Sequence, residues 1–132
     1  MTKIDANLVS LITELNAFQG IETFGSCGGH TSPARGQWEK GTFYIKFRVA
    51  RNDDGYYALE FLAWLINHDY SRAEKVGSVI LFPEAAPPWM NTPGKSLCYI
   101  LEGHRDADPR DLAHTIARLR EHYVSPAEHK EW

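Results

Sequence analysis

The residues best suited to chemistry sit in one short run, Gly25-Ser26-Cys27-Gly28-Gly29-His30. Glycines on both sides of a cysteine permit unusual backbone angles and let a ligand approach the main chain closely. Three kinds of chemistry fit such a corner. Consecutive amides can form a nest for an anion, which makes Ser26, Gly28 and Gly29 candidate ligand-binding residues. A thiol held beside a histidine can lose its proton and act as a nucleophile, with His30 or His104 as the base for Cys27. The Cys27-x2-His30 spacing also suits two metal ligands on one turn, with His104 as a third and a fourth position left open, and zinc is the metal such ligands imply. Against all three stands a plain glycine-rich turn whose cysteine packs under a sheet edge.

His104 enters because it follows Gly103, as His30 follows Gly29. If the two halves of the chain are related by a pseudo-twofold, both Gly-His corners converge on one rim. Two further sets of residues have ligand-binding character. Tyr44, Lys46 and Arg48 alternate along one side of a strand, where cations can meet phosphate or carboxylate while the tyrosine stacks; an ordinary solvated face is the alternative. Trp89 lies in the proline-rich stretch from Pro83 to Lys95, which reads as a lid over a ligand or as a rigid connector.

The elements that must position these residues follow from periodicity. Ile4, Leu8, Leu11, Ile12, Leu15 and Phe18 recur at helical spacing, with Asp5 as N-cap and Gly20 as stop. Ile21 to Cys27 reads as a strand. From Thr42 to Ala50 the alternation predicts a strand with Phe43, Ile45, Phe47 and Val49 buried. Asn52 to Gly55 caps a second helix whose stripe is Ala58, Phe61, Leu62, Leu65 and Ile66. Val76 to Phe82 is apolar but for Ser78, which predicts a strand in the middle of a sheet. Ser96 to Glu102 is a fourth strand, and Asp108-Pro109 opens a third helix with Leu112, Ile116, Leu119 and Tyr123 inward. The tail from 124 to 132 is expected to be loosely held.

The expectation is therefore one α+β domain over 1–132: a two-layer sandwich of four mostly antiparallel strands with three helices, built as a duplicated αββ unit. The length of 132 residues fits one core, and 43% hydrophobic with 23% charged residues is an ordinary globular balance. A net charge of −3 disfavours nucleic acid as a partner. No apolar run is long enough for a membrane span, no secretory leader opens the chain, and two cysteines make no disulfide framework. A cytoplasmic setting follows from these. P-loop, G-x-G-x-x-G, H-E-x-x-H and G-x-S-x-G motifs are all missing.

At Ser26-Cys27-Gly28-Gly29, followed by Lys40-Gly41 leading into Thr42-Phe43-Tyr44-Ile45, the chain resembles the third-step wybutosine-synthesising tRNA methyltransferases. That family has a Ser-Cys-Ser-Gly corner and then a Lys-Gly before a strand; Gly28 stands in place of its second serine. The resemblance does not extend into the C-terminal half. It implies S-adenosylmethionine and tRNA as ligands, with Ser26 and Cys27 near the site. Taken together, the residues point first to a binding module for a small anionic ligand, a nucleotide or a protein partner, with homodimerisation over the open sheet face. The other class is an enzyme using Cys27 with His30 or His104 in nucleophilic or zinc-assisted hydrolytic chemistry.

Overall fold

In the computed structural model, which describes residues 4–70, 77–87 and 96–123, four strands form one antiparallel sheet. Strands β1 (Ile21–Cys27), β2 (Phe43–Ala50), β3 (Ser78–Glu84) and β4 (Ser96–His104) stand in the order β1-β2-β4-β3. The helices are α1 (Val9–Asn16), led in by a 3-10 turn at Ala6–Leu8, α2 (Asp53–Trp64), continued by a π-helical turn at Leu65–Tyr70, and α3 (Pro109–Arg120). The α+β architecture of four antiparallel strands and three helices is thus the one the periodicity predicts. The palindromic strand order is what a twofold axis between β2 and β4 would generate, as a duplicated αββ unit requires. Among the described residues no helix is long and apolar enough to cross a membrane.

The alternation in β2 decides which face is covered. Phe43, Ile45, Phe47 and Val49 are all buried and join Leu8, Leu11, Leu15, Phe61, Leu62, Leu112 and Ile116 in a single core. Each fully buried side chain of this size stabilises the fold by roughly 1.5–3 kcal/mol. Helix starts are fixed by side chains: Asn52 Oδ1 accepts from the Gly55 amide at 3.0 Å, and Asp108 Oδ1 accepts from the Arg110 amide at 2.9 Å. Each such cap is worth about 1 kcal/mol.

Two expectations are corrected. The strand expected in mid-sheet, over Val76 to Phe82, is β3, and it lies at the outer edge. Its continuous apolar run does not mean burial on both faces: Val79 is buried, whereas Ile80 is 44% and Phe82 39% exposed. An outer position also explains how β3 runs on through Pro83, since a missing amide is tolerated only where no second neighbour needs it. The second correction concerns Asp5, which precedes the first helical turn but makes no side-chain cap bond there. Its carboxylate goes elsewhere. Trp89, with the lid reading of its loop, and the tail from 124 lie outside the described residues.

Candidate functional site

Both β1 and β4 are antiparallel to β2, so they run parallel to each other and end at the same rim. The register places Cys27 opposite Tyr44 and Tyr44 opposite Glu102. Topology alone therefore brings the glycine corner after β1 and His104 at the end of β4 to one edge of the sheet.

At that rim the Asp5 carboxylate reaches the glycine corner. Its Oδ2 accepts from the Gly28 amide at 2.7 Å and lies 3.3 Å from His30 Nε2. Asn7 Nδ2 donates to the Gly28 carbonyl at 3.0 Å, so the segment before the first helix is stitched to the corner twice. Gly29 takes a φ of +92°, and a Cβ there would collide with the backbone oxygens of Thr42 and Glu39. That turn delivers His30, whose amide donates to the Trp38 carbonyl at 2.8 Å while its carbonyl accepts from the Lys40 amide at 2.9 Å. The Trp38 amide in turn donates to Cys27 Sγ at 3.3 Å. Ligand atoms of Asp5, Cys27 and His30 consequently lie within 4.8 Å of one another. The Cys27 side chain is buried, with the residue 3% exposed.

His104 comes to the rim but not into this cluster. Its Nε2 is 2.9 Å from Glu102 Oε1, and its ring packs against Trp38 at a centroid distance of 5.8 Å. The trio of potential metal ligands thus takes Asp5 where His104 is expected. Trp38 stands between the two, touching Tyr44 as well at 4.9 Å. Burial, followed by the neighbouring Cys27, holds the Tyr44 phenol above its ordinary pKa.

The other expected ligand-binding residues are dispersed. Ser26 and Tyr44 line a groove along β1 with Thr23, Phe24 and Gly25. Lys46 is paired with Glu84 at 3.2 Å and Arg48 with Glu22 at 2.5 Å, so acids from both outer strands neutralise the basic stripe. Gly28 and Gly29 line a different space, an open cleft of about 530 Å³ at the rim. Its walls include Lys40, Gly41 and Thr42 leading into β2 at Phe43, and Asp106, Asp108 and Arg110 around the start of α3. The chain turns into that wall through Arg105 and Asp106, both left-handed with φ of 54° and 63°, pinned by the Asp106 amide on the Gly41 carbonyl at 2.9 Å.

Sequence reasoning missed Asp5, Lys40 and Arg110 as site residues. Asp5 is hidden because an aspartate before an apolar-periodic run reads as a cap. Arg110 is hidden because its aspartate neighbours along the chain read as cancelling its charge, whereas the fold sets it in the cleft lining. No protein-family model matches the chain, and searches of curated proteins and of solved structures find no match.

Proposed function

We propose that the protein is a binding module for a small ligand carrying both an anionic group and hydroxyl or amino groups, held in the rim cleft. The observation that carries this reading is the cleft's mixed lining. Lys40 and Arg110 offer cations to a phosphate or carboxylate, Asp106 and Asp108 offer acceptors to hydroxyl or amino groups, and glycines let the ligand near the backbone. Nucleotides have this composition, and so does S-adenosylmethionine, the ligand implied by the resemblance at the glycine corner. Cys27 and Cys98 are thiols not joined in a disulfide, which supports a reducing, cytoplasmic setting. Pairing of two copies over the open sheet face belongs to the same reading.

Thermal-shift and calorimetric titrations with inorganic phosphate, adenosine monophosphate and S-adenosylmethionine test it. One of the two adenosine compounds is expected to bind. The Lys40→Gln, Arg110→Gln double variant is expected to weaken that binding by about tenfold or more, the loss of charge-assisted contacts. A panel without binding, or a double variant that binds as tightly as the parent, overturns the reading.

The enzyme reading draws on the Asp5–His30 pair beside Cys27. The sulfur is a poor match to the role of nucleophile, because it is almost wholly buried and already receives an amide. Those two features suit a sulfur that serves as a ligand.

A further inference from the structure

We propose that Asp5, Cys27 and His30 bind one zinc ion, with water in the fourth position. A carboxylate oxygen, a thiolate and an imidazole nitrogen are the donors this borderline-soft cation takes. In a tetrahedral site with bonds of about 2.0–2.3 Å, neighbouring ligand atoms stand roughly 3.3–3.8 Å apart. Asp5 Oδ2 and His30 Nε2 already stand at 3.3 Å, and all three ligand atoms lie within 4.8 Å of one another. Closing on an ion asks for side-chain shifts of about an ångström.

Two further contacts separate this arrangement from a plain ion pair. The Gly28 amide orients the Asp5 carboxylate at 2.7 Å, and a carboxylate can keep that bond while its remaining acceptor capacity takes a metal. The Trp38 amide donates to Cys27 Sγ at 3.3 Å, the kind of outer contact that positions a metal-bound sulfur and spreads its charge. An Asp–His ion pair needs no buried sulfur beside it. The Asp5 and His30 side chains are 33% and 30% exposed, which leaves one side of the cluster open to water. Three protein ligands with an exchangeable fourth position are the pattern of zinc sites that do more than hold a fold. Here the ion also links the segment before the first helix to the corner after β1. The inference concerns the metal alone and does not depend on the ligand proposed for the cleft.

The full-length protein, stripped of metal by chelation and titrated with cobalt(II) as a spectroscopic stand-in for zinc, tests it. One equivalent is expected to bind with a thiolate-to-cobalt charge-transfer band in the near ultraviolet and to be displaced by zinc. Cys27→Ser is expected to abolish the band and Cys98→Ser to leave it unchanged. His30→Gln, at a partly exposed position where the fold should survive, is expected to weaken cobalt affinity by about tenfold or more, at least what loss of an outer contact costs. Absence of the band, its survival in Cys27→Ser, or unchanged affinity in His30→Gln overturns the proposal.

Discussion

Gly103 shows how closely single atoms are placed at the rim. It lies in β4 directly opposite Phe43, whose ring covers it; a Cβ at Gly103 would run into that ring. Phe43 is 1% exposed and packed into the core, so its ring can give way only by disturbing its neighbours. Overpacking of this kind costs typically 1–3 kcal/mol. Gly103→Ala is therefore expected to lower stability by about that amount, read as a reduced urea midpoint at unchanged slope. A change below about 0.5 kcal/mol would mean that the ring moves freely and the register argument is wrong. Because Phe43 also lines the cleft, the same variant is expected to disturb its floor.

Between elements, a hydrogen bond and ring contacts tie the end of α3 back to α2. Tyr123, just past the end of α3, donates through its hydroxyl to Glu60 Oε1 at 2.7 Å, and its ring packs on Phe61 and Trp64 at 5.2 and 5.0 Å. Burial, and then the bond to Glu60, pushes the Tyr123 phenol above its ordinary value. The sign follows directly. A folded-state pKa above the unfolded one means a contribution fully present below about pH 10 and lost as the pH rises beyond it. Tyr123→Phe is expected to cost about 1 kcal/mol at neutral pH. It should also flatten the loss of stability in alkali, measured by urea unfolding at a series of pH values; parallel pH profiles for variant and parent would refute the assignment. At this scale the sequence is largely legible. Helical spacing locates all three helices, capping residues fix the starts of α2 and α3, and strict alternation locates β2, because burial of one face imposes those periods. Edge or centre is not legible for β3, since an apolar run has the same appearance in either place. Nor is Asp5 as a site residue, because a local cap and a partner over twenty residues away look identical along the chain.

For the molecule as a whole, one face of the sheet holds the core and the other stays uncovered by the described helices. The register sets Tyr44, Glu102 and Ile80 in one row of that face and Lys46, Ile100 and Phe82 in the next. Half-exposed Ile80 and Phe82 thus share that face with the ion pair Lys46–Glu84 and, farther across it, Arg48–Glu22, an apolar strip with a polar border. Such a border suits self-association. A dimer mass is expected at micromolar concentration, and Phe82→Lys is expected to return it to monomer; a monomeric parent under the same conditions would remove the dimer from the reading.

Pro83 bears on how far such association can go. A proline leaves the ladder between β3 and β4 intact only if its missing amide would have pointed outward, so the free margin of β3 has a gap in its row of donors. On the opposite margin, β1 breaks its register between Thr23 and Gly25, and a bulge of this kind twists an edge away from straight pairing. Neither margin is a good template for another chain's strand. Copies that meet can do so face to face, which closes after two, while end-on growth into an open fibre finds no continuous edge to extend.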